Sequence, residues 1–203
     1  MLHRVPEPSV DDAQTADMAA EQALVDRARR GDHDAFRTLV ERYEDLVAST
    51  VTGMLGPGPE AEDIGQDTFI KFYEALDQYR GEGGVAPYLT RIAVNLSLNA
   101  LDRRKRRNQR LTSRDETEYA TDADPDGADD IRAFDKKELT HRALQELSAK
   151  HRSVVVLRII NGYSTKEAAQ MLDVPVGTVL SRLHRAQKKL KDLLAPYVDS
   201  DEY

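Results

Sequence analysis

Ser164-Thr-Lys-Glu-Ala-Ala-Gln-Met-Leu-Asp-Val-Pro-Val-Gly-Thr-Val-Leu-Ser-Arg-Leu-His-Arg-Ala-Gln-Lys-Lys-Leu190 is the stretch on which the reading of this chain turns. Ser164 and Glu167 stand at the S-x-x-E spacing, in which the serine hydroxyl accepts the N–H three residues on and the glutamate reaches back to the serine N–H. The spacing predicts a helix that begins at Ser164. Ala168, Ala169 and Leu172 give that helix a face of mostly small side chains, over which a second helix can cross closely. Asp173-Val174-Pro175 ends it, because proline pushes the residue before it out of the helical region. From Val176 the apolar residues Val179, Leu183, Ala186 and Leu190 fall on one helical stripe. Thr178, Ser181, Arg182, Arg185, Lys188 and Lys189 fall off it. Short hydroxyls followed by cations suit base edges and phosphates in a major groove. A basic face on a surface helix often serves solvation alone. Here it arrives together with a capping box, a close crossing and a corner, which is the pattern of a helix-turn-helix.

The chain has 203 residues, 32% of them charged and 40% hydrophobic, which fits a helix-rich protein of one domain or two small ones. Its net charge is -7, so attraction to nucleic acid must come from local patches. Cysteine is absent, which rules out a disulfide frame, a thiol switch and a cysteine-based zinc site in this chain. No apolar run reaches membrane-spanning length and the first residues lack a secretory core, so no membrane insertion and a cytoplasmic location are expected.

Residues 1–17 hold two prolines and several acids with little periodicity, and a disordered acidic tail is expected there. A helix from about Met18 should stop at Gly31, and Asp32 should cap a long one whose apolar face runs from Phe36 to Met54 until Gly56-Pro-Gly-Pro59 breaks it. A third helix opens with Glu60, Glu62 and Asp63, acids that complement its dipole. It carries Ile64, Phe69, Phe72, Tyr73 and Leu76 as its stripe, with Asp63, Gln66, Asp67 and Lys71 on a face that reads as solvated. After Tyr79, Arg80 and Gly81-Glu-Gly-Gly84, Pro87 sits in the first turn of a fourth helix with Leu89, Ile92, Ala93, Leu96 and Leu101 inward. That helix ends in Arg103-Arg104-Lys105-Arg106-Arg107, a run dense enough to repel itself and suited to binding phosphates.

The segment Asp115–Asp130 reverses the sign, with eight acids, no Lys or Arg, and little to bury. It reads as a linker. The predicted organisation is all-α: a tail over 1–17, a helical domain over 18–112, an acidic flexible linker over 113–134, and a helix-turn-helix domain over 135–196. In the last domain Leu139, Ala143, Leu144 and Leu147 form one stripe, Ser148 is expected to cap a helix bearing Val154, Val155, Leu157 and Ile160, and Pro196 is expected to stop the final helix. His33, His141, His151 and His184 are scattered without metal-site or catalytic spacing, and no phosphate-cradling glycine loop opens a helix, so no catalytic residue, cofactor or metal is assigned.

In sum the residues resemble the small two-domain bacterial sigma factors of the extracytoplasmic-function (ECF) group. The resemblance is carried by Ala61 to Gly81 and Pro87 to Asn95 in the first domain, and by Leu144-x-x-Leu147, Gly162-Tyr-Ser164 and Val176 to Ala186 in the second. It implies a non-catalytic subunit that binds core RNA polymerase and promoter DNA, and often an inhibitory anti-sigma partner. By resemblance Asp63, Gln66 and Asp67 meet the clamp coiled coil of the polymerase. Tyr79, Arg80 and Asn95 take part in melting the minus-ten element, and Arg103 to Arg107 hold nearby phosphates. Thr178, Ser181, Arg182 and Arg185 read or grip the minus-thirty-five duplex. Three positions depart from the family: Tyr88 where tryptophan is common, and Leu180 and Gln187 where cations are usual. A helix-turn-helix regulator binding an operator alone is the competing reading.

Overall fold

In the computed structural model, which describes residues 10–81, 83–112 and 136–198, the chain is helical with no strand among those residues. Helices α1 (Val10–Arg29), α2 (His33–Leu55), α3 (Pro59–Glu74) and α4 (Val85–Thr112) form a first bundle. Helices α5 (Lys136–Gln145), α6 (Ala149–Val155), α7 (Thr165–Leu172) and α8 (Val176–Val198) form a second. The acidic segment 113–134 and the first nine residues lie outside the described ones.

Helix α1 starts at Val10, eight residues before the expected Met18. Residues 10–17, part of the stretch assigned to a tail, continue the helix instead. Asp17 within it pairs with Arg42 of α2 at 2.5 Å. Asp32 caps α2 as its sequence predicts, accepting the N–H groups of Asp34 at 3.1 Å and Ala35 at 3.0 Å. Leu39, Val47 and Met54 of α2, Phe72 of α3 and Leu89 of α4 then fill one core. Glu21 ties three helices together. Its carboxylate accepts the Val85 N–H at 2.9 Å, closing the start of α4, and also takes the Tyr43 hydroxyl of α2. Arg29 donates to the carbonyls of Leu76 at 2.9 Å and Tyr79 at 2.6 Å, which pins the 3-10 turn Leu76–Gln78 that follows α3.

In the second bundle Ser148 occupies the cap position of α6 but its side chain makes no capping bond; only its carbonyl is used, accepting the His151 and Arg152 N–H groups at 2.9 Å. Helix α6 passes into a π turn, Val156–Ile160, and Gly162 closes it at φ +74°. Val154, Val155, Val156 and Leu157 are all buried, because this short element is covered on every side. Val154 and Leu157 pack with Ala168, Met171 and Val179, Val155 packs with Leu144, Leu147 and Ala186, and Val156 enters the core of the first bundle. Helix α8 runs to Val198, past Pro196. A proline costs the helix one backbone hydrogen bond, which the last described turn tolerates.

The two bundles are also packed against one another, a contact that the sequence reading did not anticipate. Thr90, Val94 and Leu98 stand four apart on α4 and face the second bundle: Val94 and Leu98 belong to its apolar cluster, and Thr90 Oγ1 and the Tyr163 hydroxyl share a hydrogen bond of 2.9 Å. Asn161 Nδ2 donates to Thr50 Oγ1 of α2 at 2.9 Å. A Cβ at Gly53 would lie 3.0 Å from Val156 Cγ2 and 3.3 Å from Ile160 Cδ1, so the glycine lets the π turn lie directly on α2. Arg152, 5% exposed, donates to the Met54 carbonyl of α2 and the Gln145 side chain, each at 2.5 Å, and to the carbonyls of Gln145 at 2.6 Å and Leu147 at 3.0 Å. One guanidinium thus satisfies carbonyls at the ends of α2 and α5 that those helices leave open.

Candidate nucleic-acid interface

The helix-turn-helix forms where the sequence places it. Glu167 N–H donates to Ser164 Oγ at 3.2 Å and Ser164 N–H to Glu167 Oε2 at 2.7 Å, the reciprocal pair of the capping box. The Ser164 hydroxyl first, and then the Ser164 N–H, hold the Glu167 carboxyl below its ordinary value. Helix α7 ends on Asp173 in the left-handed region, φ +50°, a conformation that Asp tolerates better than most residues. Proline follows the corner and does not make it alone. Ala168 and Ala169 are buried at the crossing, and Val179 and Ala186 of α8 are fully buried with Leu183 and Leu190 partly so.

On α8 the predicted DNA contacts lie away from that stripe. Ser181, Arg185, Lys188 and Lys189 are exposed and Thr178 and Arg182 half-buried. Ser181 Oγ donates to the Thr178 carbonyl at 3.0 Å, and Lys189 Nζ donates to the Glu146 carbonyl, which anchors α8 to the end of α5. The positive field is concentrated. Burial, then Arg185, Arg182 and Lys189, push the His151 imidazole on α6 below its ordinary value.

In the first bundle Arg80, Asn95, Arg103, Lys105, Arg106 and Arg107 are exposed. Arg104 is half-buried and ion-paired with Glu60 of α3, so it also braces α4 against α3. Tyr79 is a correction. It is 5% exposed and stacks edge-on against Phe72 at 5.9 Å and Tyr88 at 5.1 Å, and burial pushes its hydroxyl up to about 12. The ring belongs to the core because Arg29 pins its carbonyl inward, and it has no face free for a base. Tyr88, the departure from tryptophan, is part of the same aromatic cluster.

Asp63, Gln66 and Asp67 are exposed along α3, and Ile70, 54% exposed, continues their face. Sequence reading passed over Ile70, although its i+3 and i+7 spacing from Asp67 and Asp63 places it there. Beside this face a groove of about 430 Å³ runs between α2 and α3, lined by Val47, Val51, Ala61, Gly65, Gln66 and Phe69. Among the described residues no cluster of His, Cys, Asp and Glu is placed to hold a metal, and no helix is long and apolar enough to cross a membrane.

Residues 39–107 match the family Sigma-70 region 2, and residues 137–190 match Sigma-70, region 4. The chain is 34% identical over 182 residues to the RNA polymerase sigma-H factor of Pseudomonas aeruginosa, covering 87% of this chain and 94% of that protein. This chain belongs to the ECF sigma factors. The sigma factor is also 32% identical over 191 residues to the ECF RNA polymerase sigma-E factor of Escherichia coli K12, covering 90% of its own length and 98% of the relative. Its fold is similar to that of CnrH, solved in complex with the cytosolic domain of CnrY, with a TM-score of 0.63 and 28% identity over 90% of this chain and 99% of that one.

Proposed function

We propose that this sigma factor binds core RNA polymerase and directs it to promoters, the first bundle engaging polymerase and the minus-ten element and the second reading the minus-thirty-five element. The observation that carries the reading is that matches to sigma regions 2 and 4 occur in order on one chain, the second ending on an α8 whose basic face is exposed. The exposed Asp63, Gln66 and Asp67 are assigned to polymerase. Arg80 and Asn95 are assigned to the minus-ten strand, Arg103 to Arg107 to phosphates, and Thr178, Ser181, Arg182, Arg185, Lys188 and Lys189 to the minus-thirty-five duplex. Tyr79 is left out, since its ring is buried. The division into a domain over 18–112 and another over 135–196, joined by the acidic stretch 113–134, belongs to the same proposal.

The chain contributes no catalysis of its own and works in the cytoplasm beside polymerase. CnrH was solved bound to the cytosolic domain of CnrY, which supports a protein partner here as well, and the reading assigns that partner an inhibitory, anti-sigma role. Run-off transcription with core polymerase, on promoters selected from a random library, tests the function. Promoter-specific transcripts that need both partners are expected. A chain that ignores core polymerase yet binds one duplex tightly alone overturns the reading in favour of a free-standing regulator.

A further inference from the structure

Helix α8 does not present a uniformly basic face. Looking down its axis, Ser181, Arg185 and Lys188 lie opposite the buried stripe, and Thr178, Arg182 and Lys189 lie on one flank. The other flank is apolar in its first turns. Val176 is 45% exposed and Leu180 53%, one turn apart on the same side. Leu180 and the outer side of Val176 are left open, whereas Val179 and Leu183 of α8 are turned inward. Between Val176 and the hydroxyl residues stands Gly177, with no heavy atom within 4 Å of where a Cβ would be, so the start of α8 is open to close approach.

In a helix-turn-helix the N-terminal residues of the recognition helix are those that reach base edges. Exposed leucine and valine there offer no hydrogen bond, and the one base-edge feature in the major groove that rewards them is the C5-methyl of thymine. The flanking cations Arg182, Arg185, Lys188 and Lys189 give the surface the charge that duplex DNA complements, which argues for DNA as the occupant of this patch over a protein groove. Resting on the sigma-factor reading, we propose that Leu180, with Val176 beside it, is a specificity determinant that reads thymine methyl groups in the minus-thirty-five element.

The test uses holoenzyme assembled from the full chain and core polymerase, on a promoter selected as above. Each thymine of the minus-thirty-five element is replaced singly by deoxyuridine, which removes the methyl group and leaves pairing and phosphates unchanged. Burial of one methyl group predicts that wild type binds about fourfold more weakly at one or two positions. Holoenzyme carrying Leu180→Ala should bind the parent promoter more weakly and be indifferent to deoxyuridine at those same positions. Leu180→Arg should shift the selected base there from thymine to guanine, whose O6 and N7 accept a bidentate guanidinium. Leu180 is exposed, so thermal unfolding of either variant should match wild type. A flat deoxyuridine series, a selected element without thymine, or a Leu180→Ala enzyme that keeps the full penalty overturns this inference while transcription proceeds. Absence of promoter-specific transcription from any template overturns the parent reading, and this one with it.

Discussion

Arg152 and His151 are neighbours in sequence and solve opposite problems. Arg152 is a buried cation whose hydrogen bonds all run to neutral oxygens, and burial lowers its proton affinity without discharging it. Truncation strands the carbonyls of Met54, Gln145 and Leu147 together, so Arg152→Ala should destabilise the fold by about 3 kcal/mol, read from urea denaturation. Arg152→Lys should recover little, since an ammonium lacks the fork that reaches several carbonyls at once. His151 feels its burial and the cations of α8. Its folded pKa lies below the unfolded value near 6.5, so the unfolded chain takes up the proton first as pH falls. Its contribution is present above pH 6.5 and is lost as pH falls below that value, until the folded pKa is passed. The melting temperature of wild type should therefore drop between pH 7.5 and 5.5 by more than that of His151→Gln. On α8 itself, Arg185→Ala should weaken duplex binding for all sequences and reduce the slope of log affinity against log salt by about 1 if Arg185 meets a phosphate.

Among the elements, α7 is the one most completely determined by its own residues. The capping box predicted from Ser164 and Glu167 forms with both bonds, and Ser164→Ala should cost about 1 kcal/mol in denaturant titration. Glu167 has its pKa lowered, so its share of that stability is present above pH 4.5 and lost as pH falls through the folded value. The starts of α2 and α8, the break at Gly56 and the inward stripe of α8 were equally legible, because each rests on local spacing, whereas Tyr73 and Ile160, read as inward, are exposed. What was not legible depends on contacts distant in sequence. Glu21 closes α4 from 64 positions away, and Arg29 turns Tyr79 inward across 50, so an aromatic at a loop entrance became a core ring. Val154-Val155-Val156-Leu157 did carry a local signal, an unbroken apolar run that no single helical stripe can absorb. Reading it as one face missed Val156, one of the residues that join the cores.

For the whole molecule, the contact between bundles couples their unfolding in the wild-type chain. Thermal unfolding followed by far-ultraviolet dichroism and by calorimetry should show one coincident transition. Val156→Asp would place a carboxylate in the core of the first bundle, a penalty the chain can relieve by parting the bundles. Small-angle scattering should then report a larger radius of gyration than wild type, with helical content nearly unchanged; an unaltered radius would contradict the role given to Val156.

The seam formed by Thr90, Val94 and Leu98 against the second bundle also sets a thermodynamic toll on recognition. A ligand that engages only the parted form sees just the fraction of molecules that are open, and each tenfold rise in the closed-to-open ratio weakens its apparent affinity about tenfold. Substitutions on the inward face of α4, at residues that touch no nucleotide, are therefore able to tune occupancy of DNA or polymerase as strongly as substitutions in direct contact, by changing how often the protein is available to be bound.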